Sequence, residues 1–229
     1  MQESIRFDII SVVPAIFESV FNTSIIRIAQ QKGIVKIYTH DLHKYSKDPH
    51  GHVDDYPYGG GAGMLIKCEP MFDCIEALKA ERTYDEVIFF CPEGKMLNQT
   101  VSNEISMMQN VMIICGHYKG IDQRIRDVHI TREISIGDFV LSGGEIPAMV
   151  LVDSVVRLLP KVLGDSASAL DDSFMDGILE APQYTRPSNF RDMEVPQELL
   201  SGNPKTISEW QQKKAVEKTQ LLRPDLLDD

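Results

Sequence analysis

Three short stretches place glycine beside polar residues at the ends of apolar runs: "CPEGK" (91–95), "GHYKG" (116–120) and "GDFVLSGG" (137–144). In open α/β sheets, ligands bind beyond the carboxyl ends of the strands. Glycine there lets backbone amides and carbonyls approach a ligand closely. Each stretch alone reads as a tight turn, but three at successive strand ends predict a pocket. None is a Walker loop or a G-x-G-x-x-G fingerprint, so phosphate cradling is not indicated. Ser142 sits in "LSGG", yet Val140 stands two residues before it, where a nucleophile elbow needs glycine. A serine hydrolase is therefore set aside.

Four other groups have side chains capable of chemistry. His40, His43, His50, His52, Asp54 and Asp55 offer ligand types suited to a metal, but their spacing matches no standard zinc motif. Asp153 and Arg157 lie four apart, acid first, which reads as an i,i+4 ion pair or as an arginine aimed at developing negative charge. Asp171 and Asp172 read as solvated charges or as a general base. Residues 203 to 223 hold Lys205, Lys213, Lys214, Lys218 and Arg223 against Glu209 and Glu217. That patch suits RNA phosphates or a solvated helix face.

The elements that must position these residues alternate. "IRFDIISVV" (5–13) predicts a buried strand, followed by a helix from Pro14 to residue 30 on the spacing of Phe17, Phe21, Ile25 and Ile28. "IVKIYT" (34–39) predicts a second strand, and strand–helix–strand begins an α/β domain. Residues 40 to 63, rich in His, Asp, Tyr and Gly, are long for a connection inside a compact domain. A helix over 68–81 follows, then strands at 86–90 and 111–115 flanking a helix marked by Leu97, Val101, Ile105 and Met108. That βαβ unit predicts parallel strands buried on both faces. After a further helix and strand, "IPAMVLVDSVVRLLP" (146–160) is apolar nearly all round and predicts a buried helix. Small and acidic residues at 164–175 predict a flexible linker. Beyond it, "TISE" (206–209) predicts a capping box opening a helix that carries Trp210. The expected domains are 1–163, the linker 164–175, and a small helical domain, 176–229.

The bulk numbers fit this plan. The 229 residues, 43% hydrophobic and 25% charged, suit a globular chain with a sizeable core. A net charge of −11 argues against a general nucleic-acid coat protein, which is usually basic. Cys68, Cys74, Cys91 and Cys115 form no C-x-x-C pair, as expected of free thiols in a reducing compartment. The first residues lack a signal-peptide layout, and no run approaches a membrane span. The expected location is the cytoplasm.

"YGGGAGM" (58–64), "GHYKGID" (116–122), "SIGDFVLSGGEIPAM" (135–149), "DSVVRLLPKVLG" (153–164), "DDSF" (171–174), "APQYTRP" (181–187) and "LLSGN" (199–203) occur in this order. Together they closely resemble the bacterial tRNA (guanine-N1)-methyltransferases of the SPOUT superfamily, nearly end to end. The resemblance implies an α/β fold with a deep C-terminal trefoil knot, an exception to un-knotted connections. It implies a homodimer with active sites at the subunit interface, S-adenosyl-methionine as cofactor, and tRNA as substrate. The methyl acceptor would be N1 of the guanosine immediately 3′ of the anticodon, where another guanosine precedes it.

Carried onto this chain, the resemblance assigns cofactor binding to Pro92, Glu93, Gly94, Gly116, Tyr118, Gly120, Ile136, Gly137, Asp138, Phe139, Val140, Leu141, Gly143, Gly144 and Pro147. It assigns the general base to Asp172 and stabilisation of charge on guanine O6 to Arg157. Asp138 and Glu145 either neighbour the cofactor's sulfonium or hold the loop's own backbone. The pattern departs from the family at His117 and Lys119, where arginine and glutamate are common, and at Gln183, where histidine is common. That glutamate is associated with the Mg2+ on which the family's activity depends, and Lys119 reverses its charge. Either the lysine's cation or another carboxylate such as Glu180 would then take its place. Two readings stand beside this one: a SPOUT enzyme acting at a different RNA position, and a non-catalytic RNA-binding relative. A metal hydrolase built on the His-rich loop is more distant.

Overall fold

A computed structural model describes residues 4–162, 173–174 and 177–227. The chain divides into two compact units, Met1–Gly164 and Asp165–Asp229.

The first unit is built on strand β1 (Ile5–Ser11), helices α1 (Glu18–Phe21) and α2 (Ser24–Gln31), β2 (Val35–Asp41), the short pair β3 (Asp54–Asp55) and β4 (Leu65–Ile66), and α3 (Cys68–Glu81). It continues through β5 (Glu86–Met96), α4 (Gln99–Ser106), β6 (Asn110–Ile114), α5 (Gln123–His129), β7 (Arg132–Ser135) and α6 (Glu145–Val156). Five strands form one sheet in the order β2-β1-β6-β5-β7, and every neighbouring pair is parallel.

Strand periodicity explains the two layers around it. Val111 and Ile113 of β6, with Ile88 and Phe90 of β5, face a core that includes Ile26, Val101, Ile105, Leu151 and Val155. Met112 and Ile114, with Val87 and Phe89, face the other core, with Met71, Ile75, Leu78 and Ile125. Successive side chains of a strand point to opposite faces, so near-continuous apolar runs are covered on both sides, as parallel sheets require.

Among the buried polar groups, one carboxylate lies within the central sheet. Asp8 of β1 is fully buried and accepts from Arg6 at 2.6 and 2.8 Å and from the Tyr84 hydroxyl at 2.9 Å. His40 Nε2 of β2 lies 2.7 Å from its other side. Burial alone would raise the Asp8 carboxyl. The hydrogen bonds from His40, Arg6 and Tyr84 outweigh it and hold the group well below the usual carboxylate range.

Several expectations are corrected. The single helix from Pro14 is a 3-10 turn (Pro14–Phe17) and two helices, because Thr23 is extended and Ser24 has φ of 48°. α6 is not covered all round: Ile146 and Val150 are 44% and 43% exposed. Strand β5 runs beyond residue 90, and "CPEG" is a bulge within it. Phe90 and Lys95 both pair with Ile134, so the ladder skips four residues.

The second unit holds a small hairpin, β8 (Asn189–Phe190) with β9 (Met193–Glu194), and helices α7 (Gln197–Leu200) and α8 (Pro204–Leu222). Trp210, Ala181 and Ala215 form its buried centre, with Ile178 and Leu199 against them. The helix opens earlier than the "TISE" box: Asn203 is the cap, its side chain accepting from the Lys205 amide at 3.1 Å, with Pro204 in the first turn. Among the described residues no helix is long and apolar enough to cross a membrane.

Candidate active site

The bulge in β5 and the loops after β6 and β7 enclose one cavity of about 420 Å³. These three strands are neighbours in the sheet, so their carboxyl ends meet along one edge. Pro92, Glu93, Gly116, Tyr118, Gly120, Ile136, Gly137, Phe139, Val140, Leu141, Gly143, Gly144 and Pro147 all line the cavity, and so do His117 and Lys119.

Close packing between the loops gives the cavity its shape. The Gly144 amide donates to Gly116 O at 2.8 Å, and a Cβ on Gly144 would lie 2.9 Å from Cys115 Cα and 3.0 Å from Gly116 N. His117 bridges Gly143 in antiparallel fashion. Gly137 has φ of 146°, which L side chains rarely adopt. Tyr118 is also left-handed, at φ of 59°, a strained geometry that tends to cluster at ligand sites. The Lys119 amide donates to Met64 O at 3.0 Å, and the lysine's carbon chain packs on Gly63, which ties the "YGGGAGM" loop to this wall.

Two of the assigned cofactor residues stand apart. Gly94 does not line the cavity: a Cβ there would lie 2.5 Å from the Ile134 backbone, so this glycine allows the bulged strand to cross β7. Asp138 is exposed and outside the lining, whereas Glu145 is buried. Glu145 accepts from the Ser11 hydroxyl at 2.8 Å, and its other oxygen faces His117 Nδ1 at 3.8 Å. That nitrogen is buried without a hydrogen-bond partner among the described residues. Glu145 is thus tied to β1, where Ser11 in turn accepts from the Val13 amide.

Arg157 is the C-cap of α6, half-buried, its amide donating to Asp153 O at 3.2 Å. Asp171, Asp172 and nearly all of the linker expectation lie outside the described residues. Gln183 donates to Glu180 in the second unit. The His-rich loop does not gather: His40 is held by Asp8, His43 Nδ1 lies 2.9 Å from Gly51 O, and His52 faces Asp48 at 3.2 Å. Among the described residues no three His, Cys, Asp or Glu side chains are placed to hold a metal ion.

The sequence reading missed Phe89, Phe90, Arg126 and Ile134, which also line the cavity. The strand residues Phe89, Phe90 and Ile134 had no signal beyond apolarity. Arg126 lies on α5, away from every glycine motif.

Residues 5–229 match the model of a family described as tRNA (Guanine-1)-methyltransferase TrmD. The chain belongs to this family. Proteins named tRNA (guanine-N(1)-)-methyltransferase are similar to it along nearly their whole length. The one from Chlorobium chlorochromatii strain CaD3 is 56% identical over 97% of this chain and 96% of its own. That from Christiangramia forsetii is 54% identical over 98% and 99%, and that from Bacteroides thetaiotaomicron 53% over 98% and 100%. The glycine-bearing segments singled out in the sequence are the ones that shape the cavity.

The cavity suits a small, mainly apolar molecule. Its volume is that of a small-molecule site. Its lining is mainly apolar, and three backbone segments come close where a Cβ on Gly116 or Gly144 would intrude. Glu93 is the only carboxylate among the lining residues, beside Lys119 and Arg126.

Proposed function

We propose that this protein transfers a methyl group from S-adenosyl-methionine to N1 of the guanosine immediately 3′ of the anticodon, in tRNAs where a guanosine precedes it. The observation that carries this reading is the cavity at the joined ends of β5, β6 and β7, lined by the glycine-bearing loops, in a chain of this family. When bound, the cofactor supplies an electrophilic methyl group on a sulfonium, which leaves as the thioether.

The chain's residues would do the rest. Guanine N1 carries a proton at neutral pH and is a poor nucleophile until that proton leaves. Asp172, the residue matching the family's base, accepts it, a contribution of typically ~10²–10⁴-fold. As that proton leaves, negative charge gathers on O6. Arg157 stabilises it, as oxyanion donors do elsewhere. The loop residues named above hold the nucleoside and exclude water.

We also propose a homodimer with shared active sites. α6 leaves Ile146 and Val150, four residues apart on one face, exposed, and Phe139, Val140 and Leu141 are exposed apolar side chains too; such surfaces suit a partner. The trefoil knot, a flexible linker over 164–175, a tRNA-binding role for 176–229 and a cytoplasmic location complete the proposal. In support of tRNA contact, α8 carries Lys205, Lys213, Lys214 and Lys218. Whether Mg2+ is needed turns on Lys119, which brings a fixed cation to the cavity wall.

The test is methyl transfer from labelled S-adenosyl-methionine to two tRNA transcripts differing only at the base 3′ of the anticodon, each with and without magnesium. Label on the guanosine transcript alone is expected. Label on neither, or on both equally, refutes the assignment. Asp172→Asn is expected to bind cofactor and lose turnover, and near-normal turnover would remove Asp172 as the base.

A further inference from the structure

Arg126 reaches the cavity from α5 and belongs to none of the three glycine loops. Its guanidinium nevertheless joins two of the walls. Nε and one terminal nitrogen donate to the two Glu133 oxygens of β7 at 2.8 and 2.9 Å. The other terminal nitrogen donates to Glu93 Oε1 at 3.2 Å. Cys91 Sγ lies 3.8 Å away, and the guanidinium sits 5.6 Å from the centre of the Phe89 ring. Phe89, Cys91 and Glu93 all line the cavity.

A bidentate guanidinium–carboxylate pair fixes the plane of both groups. The Glu133 fork therefore decides where the remaining N–H points, and it points at Glu93. A hydrogen bond from its own backbone amide, and then the one from Arg126, hold the Glu93 carboxyl below the usual carboxylate range. An ionised carboxylate is acceptor-only, with about four lone-pair sites. Arg126 occupies one and neutralises much of the charge. A carboxylate so paired is a weak counter-ion for a second cation, but its free lone pairs still suit neutral O–H donors. A vicinal diol presents two such donors side by side.

We infer that Arg126 is a positioning residue that aims Glu93 at the vicinal hydroxyls of the cofactor's ribose, so that the pair sets ribose specificity. This rests on reading the cavity as a nucleoside-cofactor site. Arg126 itself touches no ligand in this account, and acts through Glu93.

The experiment is calorimetric binding of S-adenosyl-homocysteine and its 2′-deoxy and 3′-deoxy counterparts to the full chain and to Arg126→Met and Glu93→Ala. A hydrogen bond to a charged group predicts that the wild type prefers the ribose form over at least one deoxy form by roughly tenfold or more. Both variants are expected to bring that ratio to within about threefold. Glu93 is 62% exposed in its side chain, so Glu93→Ala leaves the core untouched. If Arg126→Met fails to fold, Arg126→Lys, which keeps the charge without the fork, takes its place with the same expected loss of discrimination. A wild type indifferent to the hydroxyls overturns the inference, and so does full discrimination in the arginine variant. Failure of the wild type to bind the ribose form at all would instead refute the cofactor reading beneath it, so the two failures are distinct.

Discussion

Gly144→Ala should damage the cavity by a route that owes nothing to backbone strain. Gly144 has φ of −82° and ψ of −2°, a conformation alanine adopts freely. The cost is therefore steric. The added Cβ would stand 2.9 Å from Cys115 Cα and 3.0 Å from Gly116 N, about half an ångström inside ordinary contact, and both neighbours are backbone atoms at the end of a central strand. They cannot rotate away as a side chain can. The 2.8 Å bond from the Gly144 amide to Gly116 O must stretch, or β6 must move. Overpacking of this kind costs about 1–3 kcal/mol. For a chain of this size the Tm should fall by roughly 2–12 °C, at about 2–4 °C per kcal/mol.

The displaced backbone is the cavity wall, so affinity should fall with stability. If the loop relieves half of the strain by moving outward and loses as much cofactor contact, about 0.5–1.5 kcal/mol, Kd rises roughly two- to tenfold. The assay pairs thermal unfolding with calorimetric titration of S-adenosyl-homocysteine. Gly51→Ala is the control: Gly51 has φ of 74° with open space around it and lies off the cavity, so alanine there carries strain without intrusion. It should lower Tm slightly and leave Kd unchanged. A Gly144→Ala protein with wild-type Tm and Kd within twofold would refute the steric reasoning.

Other outcomes follow from the same contacts. Asp8→Asn should cost about 1–3 kcal/mol at pH 7. Because the folded carboxyl is held low, its contribution is present above roughly pH 4 and is lost as pH falls through the folded value. Urea midpoints of wild type and variant should therefore converge toward acid, and a gap constant from pH 7 to pH 3 would count against this. Burial, with the Glu133 and Glu93 charges, pushes the Cys91 thiol up to about 11, so iodoacetamide should label it at pH 8 far more slowly than a free cysteine; labelling at the free rate would contradict that environment. Trp210→Ala should remove about 3–5 kcal/mol from the small core of the second unit. tRNA binding should then weaken while binding of S-adenosyl-homocysteine persists, and unchanged tRNA binding would show that this core does not support the substrate.

How much of this was legible depended on whether the deciding contact was local. The helix at Cys68–Glu81 was read to the residue, because its apolar spacing and its ends lie in its own sequence. The "TISE" pattern places the start of α8 too late, because the side chain that accepts from a first-turn amide is Asn203, ahead of Pro204. The break at Thr23–Ser24 was masked by apolar residues that keep the helical period across it. Apolar residues all round α6 predicted burial, but Ile146 and Val150 face outward, since apolarity alone does not say which face the core covers.

The site divides the same way. Glycine types and their order marked the three loops, and the residues that gather at the cavity are mostly those so marked. What stayed hidden is the framework between them, because it depends on pairing across the sheet. "CPEG" is a bulge only because Phe90 and Lys95 both meet Ile134, a register no local pattern encodes. That register turns Gly94 from a presumed ligand contact into the crossing point with β7, and it carries Glu93 outward to where Arg126 can reach it. Arg126 in turn is held by Glu133, seven residues along and on the next strand. A motif thus names the atoms that meet a ligand, while the direction in which those atoms point is set by residues the motif omits. It follows that variation at Arg126 and Glu133 should tune the cavity with every glycine of the three loops left in place.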